Sequence, residues 1–287
     1  MNLIIVCALS ASIVISVMRN LLSKSVSGFS FGTAKFFGVQ SALFAGGFFC
    51  LLIPALTSRA GLSGTTPIYS LVYAALLIAA QWNYTLALKT GNISLCATVY
   101  SLGFVIPVIA GTLLFHEYLN LKKVVGIAAA VLAVIVSGAK RTRSADGKTH
   151  ILPLLLSTAA SGGLGIIQKL WQHSQSSSQL SAFLALAFLL ACCASFICRI
   201  AVSGSQKFSL PPRSMVFALA TGICFGCCNL LNTFLAGRLS SAFFFPVQNV
   251  SVIILSSLTG FVIFREKFGK RELSVLLLGI CAVFFTL

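Results

Sequence analysis

Apolar residues run in long blocks along this chain, and polar residues gather in the short gaps between them. The blocks do not alternate apolar with polar, as the ten-residue strands of a membrane barrel would. They are apolar all round, which fits helices crossing a bilayer core of about 30 Å, a span that takes roughly 20 residues. Ten such segments are predicted, at 2–19, 32–54, 67–88, 92–115, 121–138, 151–171, 179–202, 213–235, 240–264 and 268–287. Turn residues such as Ser27-Gly28 and Gly61-Leu62-Ser63-Gly64 stand in the gaps. The expected fold class is an all-α polytopic membrane protein.

The pattern is stated twice. Gly260-Phe261-Val262-Ile263-Phe264-Arg265-Glu266 repeats Gly111-Thr112-Leu113-Leu114-Phe115-His116-Glu117 at an offset of about 149 residues. In both places an apolar helix ends, a short polar hinge follows, and a second apolar helix begins. Arg19-Asn20-Leu21-Leu22-Ser23-Lys24-Ser25 aligns with Gln168-Lys169-Leu170-Trp171-Gln172-His173-Ser174 at the same offset, and Asn83 aligns with Asn229 at about 146. The longest polar stretch, Lys140 to Lys148, falls near the middle. The expected organisation is a five-helix repeat at 1–139, a basic linker at 140–150 and a second five-helix repeat at 151–287. Five is odd, so the halves enter the membrane with opposite topology. Inverted repeats of this kind place a transport site near the midplane.

Composition agrees with the pattern. Of 287 residues 58% are hydrophobic and 8% charged, with mean hydropathy +1.01; a soluble domain carries about 25% charged residues. The net charge of +16 reads as loop charge under the positive-inside bias and gives no reason to expect nucleic acid. Of the 20 Lys and Arg, only Arg59, Lys122, Lys123, Lys169 and Arg238 fall on the side of the even-numbered loops. The odd loops are therefore expected in the cytoplasm and both ends of the chain outside. The 10 cysteines sit mostly in apolar runs and read as small packing residues. The first segment lacks a basic flank and a cleavage pattern, so it reads as a retained helix of a multi-pass protein of the cell (inner or plasma) membrane.

Polar residues inside the spans are costly and mark structure or function. Gln81, Trp82 and Asn83 lie in the third segment with Tyr84, Tyr100 and Ser101 in the fourth, Asn229 and Asn232 in the eighth, and Gln248 and Asn249 in the ninth. Their uncharged donors and acceptors suit a neutral or zwitterionic solute, and all are candidate substrate contacts; amides of this kind also bridge helices. Lys169 is a candidate cation for a carboxylate or phosphate, or it snorkels to the interface; Arg19 and Lys35 share that ambiguity. Glu117 and Glu266 are expected as hinge residues that cap the next helix's N-terminal turn, with proton carriage as the other reading. The deep core holds no evident acid, which argues against a metal dication. Pro107 and Pro246 lie inside the fourth and ninth segments and are expected to kink them. Gly222 with Gly226, and Ser161 to Gly165, permit close helix contact, within the bundle or in a homodimer. Trp82 with Phe243-Phe244-Phe245 would form an aromatic box for a quaternary amine, or the Phe run faces lipid.

Leu113-Leu114-Phe115-His116-Glu117-Tyr118-Leu119-Asn120 with Gly126, and Val262-Ile263-Phe264-Arg265-Glu266-Lys267-Phe268-Gly269, resemble the drug/metabolite transporter superfamily in its ten-helix EamA-like branch. His116 and Arg265 depart from a Gly common there, and Val275 stands at the counterpart of Gly126. The resemblance covers essentially the whole chain. It implies a secondary-active transporter with a central cavity and alternating access, no cofactor and no covalent chemistry. The expectation is a carrier of a small polar organic solute, amino-acid-like or related. The alternatives are an exporter of quaternary amines or drugs and an organic-anion (nucleotide-sugar-like) carrier. A channel and a non-transporting scaffold are further rivals. A membrane enzyme is remote: Gly61 to Gly64 fits a GxSG motif only in a loop, and His116, His150 and His173 sit at segment ends. The expected partners are the small-molecule substrate and the bilayer.

Overall fold

The computed structural model describes residues 2–27, 33–58, 64–90, 99–138, 151–174, 177–203, 212–264 and 270–286. Among the described residues there are ten α-helices and no strands. They are α1 (Leu3–Ser27), α2 (Thr33–Thr57), α3 (Thr66–Thr90), α4 (Val105–Phe115), α5 (Leu121–Gly138), α6 (Ile151–Ser174), α7 (Leu180–Ser203), α8 (Pro212–Ala236), α9 (Ser241–Phe264) and α10 (Lys270–Thr286). Several helices run past the bounds that hydropathy gives; α1 continues to Ser27, through Arg19, Ser23 and Lys24. Polar residues end an apolar run, yet nothing in Asn20–Ser27 breaks a backbone ladder, and Pro and Gly are absent there.

The fourth segment departs further from expectation. A 3₁₀ turn, Leu102–Phe104, precedes α4, so Pro107 stands in the first turn of a helix that starts at Val105. Proline lacks the N–H that would bond the carbonyl four residues back, and its ring crowds that carbonyl; the tighter turn is the local outcome. Pro246 stays inside a continuous α9. Glu266 lies outside the described residues.

The helices gather into two compact units, each built from both parts of the sequence. One comprises residues 1–78 and 170–237, the other 79–169 and 238–287. In the first unit α2 packs on α7 and α8, and α1 packs on α8. Gly222 makes the α2–α8 contact: a Cβ there would lie 1.9 Å from the Leu43 carbonyl oxygen. The Trp171 ring is fully buried and stacks on Phe183, with centroids 4.8 Å apart and planes 9° apart. In the second unit α5 packs on α10, and α9 packs on α4, α5 and α10. Gly162 and Gly165 lie against Ile106 and Pro107 there. Both small-residue patches are thus occupied within the chain. Phe243, Phe244 and Phe245 are buried, which sets aside a lipid-facing Phe run: Ser241 is tied down at the start of α9, and the turn that follows it faces inward.

By length and composition, α1 over Leu3–Ser23, α2, α7 over Leu180–Val202 and α8 are each able to cross a membrane. Shorter apolar helices cover Val99–Phe115, Ser241–Ser256 and Leu273–Thr286. Large apolar side chains such as Ile53, Leu56, Ile197 and Val216 are exposed on these helices. Soluble monomers seldom expose contiguous apolar surface on this scale, whereas lipid covers it.

Candidate functional site

The second unit holds a charged cluster at the end of α4. The helix stops where His116 turns left-handed, at φ 50° and ψ 35°, with its N–H reaching back to the Gly111 carbonyl. The Glu117 N–H reaches the same oxygen at 3.2 Å. This turn throws the Glu117 side chain back across the helix end. Its Oε1 pairs with the Lys169 ammonium, and its Oε2 accepts the Ser241 backbone N–H at 2.7 Å. Ser241 is the first residue of α9, so the carboxylate satisfies one of the N–H groups that a helix start leaves open. The sequence suggested that Glu117 would cap the helix after it. In the structure Asn120 takes that place at α5, accepting the Lys123 N–H at 2.9 Å, and Glu117 caps α9.

Lys169 is 4% exposed. Its ammonium donates to Ser241 Oγ at 2.8 Å and to the Leu239 carbonyl at 3.4 Å, and it lies 5.5 Å from the Phe115 ring centroid. A primary ammonium has three donors, and three acceptors surround it. Gly111 leaves room for this arrangement: a Cβ there would stand 2.6 Å from Ser241 Oγ and 2.8 Å from Glu117 Oε2. Gly111 and Ser241 were not among the site residues read from the sequence. The repeated Gly at 111 and 260 was the available signal for the first; nothing local marked the second.

The amides of the second unit serve their own helices first. Asn83 Nδ2 donates to the Ala79 carbonyl and Asn249 Nδ2 to the Phe245 carbonyl, each at 2.9 Å. Gln81 and Trp82 are half-buried and Gln248 is buried. Tyr100 meets Tyr84 ring to ring, centroids 4.7 Å apart. Ser101 precedes the 3₁₀ turn without capping it through its side chain.

The first unit holds a polar track along α1, α3 and α8. Ser12 Oγ donates to Asn232 Oδ1 at 2.5 Å, and Ser16 Oγ lies 3.4 Å from Cys228 Sγ. The Tyr73 hydroxyl donates to Asn229 Oδ1 at 2.5 Å, and Asn229 Nδ2 donates to the Phe225 carbonyl at 2.8 Å. Asn229 stands seven residues before the end of α8, about 10 Å from that end at 1.5 Å per residue. The guanidinium of Arg19 continues the track, 4.1 Å from the Phe225 ring centroid.

Comparison with known proteins bears on this architecture. Residues 42–287 match a family model described as "Sugar transport protein". A protein of Haemophilus influenzae, named only as uncharacterized, is 25% identical over 296 residues, covering 98% of this chain and 94% of the relative. A protein of known crystal structure superposes with a TM-score of 0.79 at 14% identity, covering 99% of this chain and 96% of that one. At that identity the likeness speaks for the fold alone.

Proposed function

This chain belongs to the sugar transport protein family, and on that premise we propose that it carries a small polar solute of the sugar class through ten membrane spans by alternating access. The family match over residues 42–287 is the observation that carries the reading. It leaves catalysis without support and narrows the sequence expectation of a polar organic solute toward polyhydroxyl compounds. The uncharged amides and hydroxyls at Gln81, Asn83, Tyr100, Ser101, Asn229, Asn232, Gln248 and Asn249 suit such a cargo, since each sugar hydroxyl both donates and accepts. Trp82 adds a flat face on which a sugar ring can lie.

The repeat reading belongs to the same proposal. In the packing, α2 meets α7, α4 meets α9 and α5 meets α10. Each pair joins a helix to the one five places later, as two related halves facing each other about a pseudo-twofold axis would. The kinship with the EamA-like branch rests on the same duplication and on the Glu117 and Glu266 hinges. Glu117 and Lys169 are assigned to holding the end of α4 against α9. The test is uptake into proteoliposomes across a panel of sugars and amino acids. Saturable sugar uptake supports the proposal; amino-acid uptake without sugar uptake sinks its substrate class, and unsaturable flux at channel rates sinks its mechanism.

A further inference from the structure

Arg19 is a cation on an apolar helix, α1, in a unit whose sequence has no acid. It pairs with α8 through a regular antiparallel register: Ser12 with Asn232, Ser16 with Cys228, Arg19 with Phe225. Phe225 falls almost midway between Arg213 and Arg238, the charges that flank α8. At 1.5 Å per residue it lies about 18 Å from either, so the Arg19 guanidinium sits beside the middle of α8. Helical side chains lean toward the helix N-terminus, which draws Arg19 away from the α1 C-terminal end and its loop.

No acid answers it. The chain has 4 acidic residues, and residues 1–78 and 170–237, the unit that holds Arg19, contain none of them. Glu117 is taken by Lys169. Asp146, Glu266 and Glu272 stand in or beside connections between helices in the sequence. Among the described residues the guanidinium has the Phe225 ring and the Cys224 and Cys228 thiols as neighbours; the ring offers no lone pair to its five N–H donors, and a neutral thiol is only a weak acceptor. Arg19 is half-buried, so those donors remain within reach of a solute. An intramembrane cation faces a bundle interior or cavity and finds a partner there; the unit that holds Arg19 has no acid to serve as one.

We infer that Arg19 is a substrate-binding residue and that the cargo carries an anionic group, a carboxylate or a phosphate, on a sugar-class body. The planar guanidinium is suited to bidentate capture of such a group. Phe225 holds one side of it, and the half-buried Ser16, one turn earlier on α1, is a hydroxyl suited to the uncharged remainder. The inference rests on the sugar-transport reading and adds the charge of the cargo to it.

The experiment is thermal unfolding of the purified full chain in detergent, at fixed ionic strength, with glucose, gluconate, glucose 6-phosphate, acetate and an amino-acid mixture. It is run on the natural protein, Arg19→Gln and Arg19→Lys, each first shown monodisperse. A ligand that binds the folded state raises the unfolding temperature. The expected result is stabilisation by gluconate or glucose 6-phosphate over glucose, with half-saturation weakened at least about tenfold in Arg19→Gln, the loss of one charge-assisted pair. Arg19→Lys keeps the charge and loses the fork, so it is expected to fold and to bind the anion at intermediate strength. If glucose stabilises all three proteins alike and the anions add nothing, Arg19 is structural and the inference falls while the sugar reading stands. If acetate alone binds, and does so through Arg19, the anion site stands and the sugar reading falls. If only amino acids bind, both fall. Should Arg19→Gln fail to fold, an anion effect unchanged in Arg19→Lys overturns the bidentate role.

Discussion

At Lys169 the question is what an ammonium 4% exposed costs if its partner is removed. The pair with Glu117 also holds Ser241 through both its Oγ and its N–H, so deleting one member leaves a buried charge and an open helix start. Breaking a buried pair from one side typically costs about 3 kcal/mol or more. Glu117→Ala and Lys169→Ala are each expected to destabilise by that order in reversible detergent unfolding. The double change Glu117→Gln with Lys169→Met is expected to recover part of the loss, because it buries no unpaired charge. Single changes costing less than about 0.5 kcal/mol, the range of ordinary surface substitutions, would show that the pair does not hold α4 to α9. His116 gives a second test beside it. Its backbone is left-handed, a conformation that costs a residue with a Cβ about 1–2 kcal/mol. His116→Gly is therefore expected to raise stability by roughly 1 kcal/mol, and His116→Val to lower it, since a β-branched residue tolerates that region least.

Among the helices, the close α2–α8 contact requires a residue without a side chain at Gly222. Even Gly222→Ala would drive a methyl into the backbone at Leu43, and overpacking of this kind costs about 1–3 kcal/mol. Gly64, with nothing within 4 Å of an added Cβ, is the control: Gly64→Ala is expected to stay within about 0.5 kcal/mol. Equal melting temperatures for the two variants would contradict the close approach of α2 and α8. This contact also shows what the sequence made legible. The helices could be read because a segment apolar on every side must meet lipid or protein on every side, and length alone then identifies it. Their pairing could not, because a helix with no polar face gives no direction to its partner. The Gly222–Gly226 spacing announced a close contact without naming Leu43 and Gly47 across from it. The site follows the same logic. Glu117 and Lys169 stood out as charges in an apolar chain, but they lie 52 residues apart, and no spacing rule joins them. Asn229 was visible as a costly amide; Tyr73, whose hydroxyl it accepts, looked like any aromatic near a helix start. Pro107 was placed mid-helix because hydropathy runs smoothly through Leu102–Phe104, where the backbone tightens.

For the molecule as a whole, the repeat and the charge bias make one joint prediction. If each half crosses the membrane five times, residue 146 and the end of the sequence at residue 287 lie on opposite faces. The excess of Lys and Arg in the odd connections puts residue 146 in the cytoplasm. A fluorescent protein that matures only in the cytoplasm is expected to be bright when inserted near Asp146 and dark when fused after Leu287, and a phosphatase active only outside should give the reverse. The two outcomes separate the two premises. Signals on the same face would mean an even number of crossings in residues 151–287, which removes the inverted repeat whatever the charge count says. Opposite faces with the reversed sign would keep the repeat and overturn the charge argument. Lys122 and Lys123, at the start of α5 beside the Glu117 hinge, would then be cytoplasmic, and the buried Glu117–Lys169 pair would lie toward the cytoplasmic mouth of the transport path. The orientation thus decides which side of the membrane the hinge at the end of α4 faces. It also leaves the Arg19 inference intact, because a guanidinium beside the middle of α8 keeps that place either way up.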